Sequence, residues 1–434
     1  MLLRRWSTLL RRWSMCRRPL SSMRHRSPSP RRRLRLRRHR RSGTIATTRP
    51  VIIPMSPPAA LHGAPLRRSR RQTDRDILPS SDLPGPMMGD LVVDWHAHWV
   101  PSAVVALLSE RTAFPCVVRE GDRRWFLPAA GVRRPLKESQ LDLDFRRAEM
   151  DRTGVSRQVL SLAVVLGSFL ADLPDAMERP LVDANNRGLA RLVKEDGARF
   201  AGLAALPMRD PAEAARVLER AVVGQGLLGA ILPSDALADR ETASRFSDVF
   251  AVAHRLRAHL FIHPAPLPGA GPGGTGLIAG QLAGYGGDPD DNDPARMLRR
   301  RAISFQESLT AATVTLEYSD FLDPFGDAVI HVANLGGAMA LYADRIAMTA
   351  GRMGLPDRWA DGRLRRTVVD TASFGSAGIR LAASTFGTER LLFGTDSPAL
   401  ELAPALAGVE GAGLAGPLRR ALLSGAAIST LAHP

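Results

Sequence analysis

The stretch LVVDWHAH, residues 91–98, is a short apolar run that predicts the first β-strand of the fold and ends in two histidines. Side chains two residues apart on a strand project to the same side, so His96 and His98 are expected to point together. Two neutral imidazoles aimed at one point suit a divalent metal ion. A His-x-His pair also occurs as two surface or hydrogen-bonded histidines, so the pair alone leaves both interpretations open.

Short apolar runs recur along the chain and alternate with longer amphipathic stretches. The runs lie at 156–165, 199–206, 227–233, 259–264, 327–334 and 389–398. Helical spacing of apolar residues lies between them, at 140–155, 177–197, 211–226 and 244–258. Repeated strand–helix units imply parallel strands joined by crossover helices, and about eight such strands fit after residue 87. The sequence therefore predicts an α/β fold, a (β/α)8 TIM barrel over residues 88–434.

The first 87 residues differ in composition from the rest of the chain. Residues 1–87 contain 22 arginines and only 3 acidic residues. Of the 59 Lys and Arg residues and 43 acidic residues of the whole chain, 37 basic and 40 acidic residues therefore lie in 88–434. An Arg- and Pro-rich segment buries too little surface to offset its ordering entropy, so we predict a disordered basic tail. A spurious translated extension, an organelle leader, a twin-arginine export signal and a tether to nucleic acid or anionic membrane all remain open for it.

Composition also excludes several classes of protein for the folded part. Its nearly balanced charge argues against a nucleic-acid partner for this domain. Two cysteines, Cys16 and Cys116, are too few for a disulfide scaffold or a cysteine-based zinc cluster. No apolar run approaches the roughly 20 residues of a membrane helix. We therefore expect a cytoplasmic protein without a membrane span.

Two more candidate site residues end predicted strands. His263 ends HLFIHP, and Asp396 ends ERLLFGTDSP after a Gly394-Thr395 step that brings the backbone close. A lone histidine there can be structural, and an aspartate can cap a helix. A buried carboxylate without a partner is costly, however, and a metal would supply the partner. At the C-terminal ends of barrel strands, these side chains would meet at the end where such barrels hold their active sites.

Taken in this order, the residues resemble the amidohydrolase superfamily, and within it the aminocarboxymuconate-semialdehyde decarboxylase-like branch. The resemblance runs from residue 91 to about 400, through VVDWHAHWVP, FRRAEMDRTGVSRQVLSL, FIHP, NLGGAMALYADRI, VVDTASF and ERLLFGTDSP. It implies a TIM barrel with one divalent metal, zinc in the first place and manganese as the alternative. The ligands that it implies are His96, His98, His263 and Asp396.

The lysines of the domain agree with a single metal. Relatives with two metals bridge the ions with a modified lysine at the end of a middle strand. Residues 88–434 contain only Lys137 and Lys194, and neither ends a predicted strand.

The resemblance also implies that Arg134, in GVRRPLK, holds a substrate carboxylate, a task that suits the guanidinium fork. Arg133 is adjacent and leaves the register open, and an exposed loop arginine is the other interpretation.

The chain departs from the resemblance near the sixth barrel strand. Asn334 stands where relatives carry a histidine that acts as acid or base, and His331 lies three residues earlier. An offset of three on a strand points to opposite faces, so Asn334 is expected in the site and His331 in a structural role unless the strand bulges. An asparagine can donate a hydrogen bond to a developing oxyanion, but it cannot shuttle protons.

Together these residues predict a metal-dependent carboxy-lyase that removes carbon dioxide from a small unsaturated or aromatic carboxylic acid, with Asp396 relaying a proton. One alternative is a metal-dependent hydrolase of a lactone, ester or amide on the same site. A second is a non-catalytic barrel that binds a small acid.

A homodimer is compatible with the sequence. The Gly-, Pro- and Asp-rich stretch 266–294 is either a lid over the site or an insertion without function.

Overall fold

The computed structural model describes residues 91–128, 133–162, 175–268, 295, 298–356 and 361–428. The basic tail at 1–87 and nearly all of the stretch 266–294 lie outside the described residues, so the tail, the domain boundary and the lid stay predictions. Contacts divide the chain into residues 1–78 and 79–434, and everything described here belongs to the second unit.

The described residues contain eleven strands, numbered in chain order. They are β1 (Val93–Trp99), β2 (Cys116–Glu120), β3 (Arg123–Leu127), β4 (Arg134–Leu136), β5 (Arg157–Leu162), β6 (Phe200–Ala204), β7 (Gly229–Pro233), β8 (His259–His263), β9 (Val329–Val332), β10 (Thr367–Asp370) and β11 (Leu391–Leu392). Strand β1 and strands β5 to β11 pair in that order as one parallel sheet of eight strands.

The sheet closes into a barrel beyond its two-residue last strand. Where β11 ends, the chain continues beside β1: the backbone N–H of Trp95 donates to the carbonyl of Phe393 (2.9 Å), and that of His98 donates to the carbonyl of Ser397 (2.7 Å). These hydrogen bonds join the first and last strands, so the predicted (β/α)8 barrel is confirmed.

Helices connect the strands. They are α1 (Ser102–Ser109), α2 (Glu138–Leu141), α3 (Leu143–Thr153), α4 (Asp175–Asp196), α5 (Pro211–Glu219), α6 (Arg240–Ser244), α7 (Ser247–Leu256), α8 (Phe305–Tyr318), α9 (Met339–Arg352), α10 (Ser376–Phe386), α11 (Leu402–Gly411) and α12 (Gly416–Ser424). Helix α5 begins at Pro211, which needs no N–H partner there, and Asp210 caps it by accepting from the N–H of Glu213. Among the described helices, none combines the length and apolar character needed to cross a bilayer.

One large apolar cluster joins the strands to the helices around them, and a second, small cluster consists of Val368, Leu392 and Ala427. Strands β6 and β8 are buried at every residue, as expected for parallel strands covered by helices. Strand β8 nevertheless carries a histidine at each end, His259 and His263. Buried polar side chains need hydrogen-bond partners, and the one at the C-terminal end of β8, His263, lies where the candidate site is found.

A second, antiparallel sheet of β2, β3 and β4 follows α1, and the sequence patterns did not predict it. Its buried face contributes Val117, Phe126 and Leu136 to the main core. The sheet is inserted between α1 and α2, and α2 lies beside the C-terminal end of β1, where the N–H of Val100 donates to the carbonyl of Gln140 (3.0 Å).

Candidate active site

The first two site residues lie on β1. Its pairing register with β5 shifts between Asp94 and Ala97, which is a bulge that locally turns the side chains. Both His96 and His98 are buried, and their Nε2 atoms are 3.2 Å apart. The prediction that the two imidazoles point together is confirmed.

His263 at the end of β8 and Asp396 in the turn after β11 meet the pair on β1. One ligand atom from each of the four side chains lies within 4.8 Å of the others. The Oδ1 atom of Asp396 is 3.1 Å from Nε2 of His98 and 3.5 Å from Nε2 of His96. Asp396 does not cap a helix, because the next helix begins only at Leu402. The predicted convergence of these four side chains is therefore confirmed.

The backbone around Asp396 is shaped for this contact. Asp396 has a φ of 60°, a left-handed conformation that is uncommon outside glycine, and its N–H donates to the carbonyl of His96 (2.7 Å). Gly394 is needed for the close approach of the chain: a Cβ atom there would lie 2.8 Å from the Cβ atoms of His96 and Asp370. The absence of a side chain at Gly394 therefore lets the turn after β11 approach β1 and β10 closely, and this approach sets the position of the Asp396 carboxylate.

His96, His98, His263 and Asp396 form a four-residue cluster, and Asp370, the last residue of β10, contacts His96 of this cluster. The sequence did not predict Asp370 as a site residue. Its Oδ2 atom is 3.0 Å from Nδ1 of His96 and 2.9 Å from Nε2 of His331. Its Oδ1 atom accepts from the N–H groups of Asn334 (3.2 Å) and Ala372 (2.9 Å). The signal that could have revealed it is an aspartate at the end of the apolar run TVVD, the same pattern that marked Asp396.

The second histidine of β1 is held in a similar way. Nδ1 of His98 lies 2.9 Å from Oγ of Ser161, which belongs to β5. Nδ1 of His96 is bonded to Asp370. Because each Nδ1 atom has a partner, each Nε2 atom is left facing the cluster, as in histidines that bind metals.

The carboxylates favour positive charge within the cluster. Burial acts to lower the pKa of His96, but Asp370 and Asp396 outweigh it and raise that pKa to about 10. Although burial acts to raise the pKa of Asp396, hydrogen bonds from His96 and His98 hold it well below its usual range. Burial lowers the pKa of His98 and lowers that of His263 much further. These shifts leave two ionised carboxylates beside a protonated His96 and the neutral imidazoles of His98 and His263, and a bound cation could replace the positive charge that His96 carries.

Two polar atoms of the cluster lack a partner outside it among the described residues: Nε2 of His263 has no hydrogen bond, and Oδ1 of Asp396 has only the imidazoles of His96 and His98 beside it. Buried polar atoms in proteins are nearly always paired, so these two indicate a missing partner. Three imidazole nitrogens and one carboxylate oxygen are donors that divalent transition metals bind. The residues present therefore fit a divalent metal.

Neither lysine of the domain enters this cluster. Lys137 follows β4 of the small antiparallel sheet, and Lys194 lies in α4. Among the barrel strands that the structure describes, none ends in a lysine.

A second network of buried polar side chains, separate from the four-residue cluster, surrounds β1. Asp94 accepts hydrogen bonds from Nε2 of Gln158 (2.8 Å) and from Oγ1 of Thr395 (2.7 Å). Arg146 donates to Oε1 of Gln158 (2.9 Å) and to the carbonyl of His98 (2.5 Å). Burial raises the pKa of Asp94 to about 6 and lowers that of Arg146 to about 10. The network ties β1, β5 and the turn after β11 together around the ligands.

The small sheet separates the two neighbouring arginines. Arg134 pairs directly with Phe126 across β3 and β4, and cross-strand partners project to the same face. Phe126 is buried in the core, so Arg134 lies on the face that packs on the barrel, where it is half-buried. Arg133 instead stacks on Trp125 (4.3 Å) and pairs with Glu120. This geometry distinguishes Arg134 from Arg133, which the sequence left open.

Asn334 and His331 lie at different positions relative to β9: His331 lies within the strand, and Asn334 follows its end. Strand β9 ends at Val332, and Asn334 has a φ of 54°, so the alternation of strand faces no longer applies when the chain reaches it. His331 is fully buried in the barrel interior. Asn334 is 4% exposed, and its Oδ1 atom has no partner among the described residues.

An eight-stranded barrel with histidines and an aspartate gathered at the C-terminal ends of its strands is the architecture of metal-dependent TIM-barrel enzymes. The amidohydrolase family model matches residues 93–431, and the chain belongs to this family.

Two relatives and one solved structure illustrate the similarity. Gamma-resorcylate decarboxylase of Polaromonas sp. strain JS666 is 33% identical over 141 residues, 31% of this chain and 43% of that protein. The 2-amino-3-carboxymuconate-6-semialdehyde decarboxylase of Dictyostelium discoideum is 31% identical over 128 residues, 30% of this chain and 35% of that protein. The chain thus matches less than half the length of either relative.

The solved structure is dihydroxybenzoic acid decarboxylase from Polaromonas sp. JS666 with bound manganese and an inhibitor. Its TM-score is 0.58 at 20% identity, over 79% of this chain and 96% of that one. This likeness concerns the fold, and it extends over nearly the whole of the solved chain.

Proposed function

We propose that this protein is a metal-dependent decarboxylase that removes carbon dioxide from a small aromatic carboxylic acid. The observation that carries the proposal is the gathering of His96, His98, His263 and Asp396 within 4.8 Å in a barrel of the amidohydrolase family. Decarboxylases of aromatic or unsaturated acids are among the relatives that it resembles.

The four side chains would hold one divalent ion, with zinc as our first choice and manganese as the alternative. Three imidazoles and a carboxylate are typical of zinc, and a structural neighbour contains manganese. When bound, the ion supplies a Lewis acid that polarises a substrate oxygen.

Asp396 is the ligand best placed to move a proton. Its side chain is 18% exposed, against 0% for His96 and 3% for His98. The ionised carboxylate reaches the open end of the site, so it can take up a proton from water and deliver that proton to the substrate carbon from which carbon dioxide departs. We propose this role for Asp396.

Arg134 would orient the carboxylate of the substrate. It is half-buried on the face of the small sheet that also carries Phe126, its cross-strand partner. A guanidinium binds a carboxylate through two parallel hydrogen bonds, which fixes orientation as well as adding affinity.

Asn334 would act by hydrogen bonding alone. Its amide can donate to negative charge that develops on the substrate, and it cannot carry a proton at neutral pH. Replacing Asn334 with Ala should therefore lower kcat more than it changes KM. His331, the other candidate of this region, is too deeply buried to touch substrate, so we give it no proton-transfer step.

Two further properties belong to this proposal. We place the protein in the cytoplasm, which fractionation of cells would test. We also propose a homodimer, which the mass of the purified protein in solution would establish.

The test is product analysis with the full chain loaded with zinc or manganese. Hydroxybenzoic and dihydroxybenzoic acids are assayed for carbon dioxide release, and aromatic lactones and esters for acid release. We expect carbon dioxide from at least one acid, with Asp396→Asn inactive and His254→Ala, at a half-exposed histidine outside the cluster, fully active. Acid release alone would make the protein a hydrolase, and binding of an acid without turnover would make it a non-catalytic barrel.

A further inference from the structure

Four side chains form a continuous run of hydrogen bonds through the barrel interior, which we call the buried histidine chain: His259, His331, Asp370 and His96. Nε2 of His259 is 3.1 Å from Nδ1 of His331. Nε2 of His331 is 2.9 Å from Oδ2 of Asp370, and the same oxygen is 3.0 Å from Nδ1 of His96. The chain thus links the start of β8, through β9 and β10, to a candidate metal ligand on β1.

With the Asp370 carboxylate ionised and His331 neutral, the hydrogen bonds of the chain run in one direction. An ionised carboxylate only accepts, so Oδ1 of Asp370 accepts from the N–H groups of Asn334 and Ala372 and its Oδ2 atom accepts from both neighbouring imidazoles. His331 then donates through Nε2 and accepts at Nδ1, and His259 must be the donor to it. His96 donates through Nδ1, which turns its Nε2 atom toward the cluster.

Packing keeps the chain in place and away from substrate. The Phe261 ring lies 4.5 Å from the His331 ring at an interplanar angle of 30°, and 4.8 Å from the His96 ring, edge to face. His331 is 0% exposed and His259 is 3% exposed. Both ring nitrogens of His331 already have partners, in His259 and Asp370, so the contribution of the two histidines has to pass through Asp370.

We propose that His331 is a positioning residue: supported by His259, it holds the Asp370 carboxylate in the orientation that fixes the ring of His96 for metal binding. The inference rests on the proposed function, because the ligand role of His96 is part of that proposal. Groups that orient a ligand histidine typically change metal affinity by about 10- to 100-fold. The uncommon feature is that an imidazole, itself held by a second imidazole, orients the carboxylate.

The test compares variants of the full chain by zinc affinity, measured by competition with a chelator. His331→Leu removes both hydrogen bonds and should weaken zinc binding about 10-fold. His331→Gln keeps an N–H near the position of Nε2 and should bind zinc within about 3-fold of the wild-type protein. His254→Leu, at the half-exposed histidine that bonds to the N–H of Asp327, is the matched control and should bind zinc as the wild-type protein does.

A second readout needs no metal. In metal-free protein labelled with ¹⁵N-histidine, the Nδ1 proton of His96 should exchange slowly with solvent, and His331→Leu should speed its exchange about 10-fold, with recovery in His331→Gln. Should His331→Leu fail to fold, His259→Leu, which removes only the donor to His331, should produce the same changes to a smaller extent.

The outcomes separate this inference from the proposed function. If the wild-type protein binds zinc and His331→Leu matches it in both zinc affinity and proton exchange, the positioning role is wrong and the metal site stands. If the wild-type protein binds no zinc or manganese, the proposed function fails, and the exchange of the His96 proton still decides whether His331 orients Asp370.

Discussion

Gly394→Ala should damage the site, because it places a methyl group too close to the side chains of His96 and Asp370. The added Cβ would lie 2.8 Å from the Cβ atoms of His96 and Asp370 and 2.9 Å from Cγ of Asp370. Carbon atoms pack best at about 3.5–4.0 Å, so each neighbour must move by about 0.7 Å or more. Such overpacking of a core typically costs about 1–3 kcal/mol of folding free energy.

The displacement also exceeds the tolerance of a metal site, which is about 0.5 Å. Since a misplacement of about 1 Å can cost about 100-fold in rate, we expect a loss of that order in kcat/KM together with weaker metal binding. Unfolding in urea, chelator competition and the rate of carbon dioxide release measure the three effects.

Gly351→Ala is the matched control for this substitution. Gly351 lies in the last turn of α9, and a Cβ there would meet nothing within 4 Å. An alanine in a helix should stabilise the protein by about 0.5 kcal/mol and leave the rate unchanged. If Gly394→Ala is as stable and as active as Gly351→Ala, the close approach at Gly394 does not hold the site together.

Two other substitutions test the mouth of the barrel and the support of β10. Arg134→Ala should raise KM for an acid substrate about 10- to 100-fold, because it removes a charge-assisted pair of hydrogen bonds, while Arg133→Ala, on the other face of the small sheet, should leave KM unchanged. Equal effects of both substitutions on steady-state KM would refute the role of Arg134. Glu317→Ala should destabilise the protein by about 3 kcal/mol, because the buried carboxylate accepts from the N–H groups of residues 365–367 at the start of β10. A change below about 1 kcal/mol in urea unfolding would contradict this account of Glu317.

The sequence predicted the barrel and the four clustered side chains because both depend on local patterns. Apolar runs mark parallel strands, and a polar residue that ends such a run lies at the mouth of the barrel. His263 and Asp396 were found in this way, and the resemblance to the family joined them to the pair on β1. The family match over residues 93–431 confirms that resemblance.

The features that the sequence did not predict depend on contacts between distant segments. Asp370 ends a strand of only four residues, and its partners His96 and His331 lie 274 and 39 positions away in the chain. Strand β3 begins with two adjacent arginines, Arg123 and Arg124, so its sequence lacks the alternation of apolar and polar residues that predicts a strand. The rule of alternating faces could not place Asn334, because β9 ends two residues before it and the backbone turns left-handed there.

Elemental analysis of the purified full-length protein beside its His263→Ala variant tests the metal site most directly. His263 contributes a buried nitrogen without a hydrogen-bond partner among the described residues, so its loss removes a ligand and leaves the described hydrogen bonds of the fold in place. We predict about one zinc or manganese ion per chain in the wild-type protein and a small fraction of that in the variant. A wild-type protein without metal, or a variant that retains the full amount, would contradict the account.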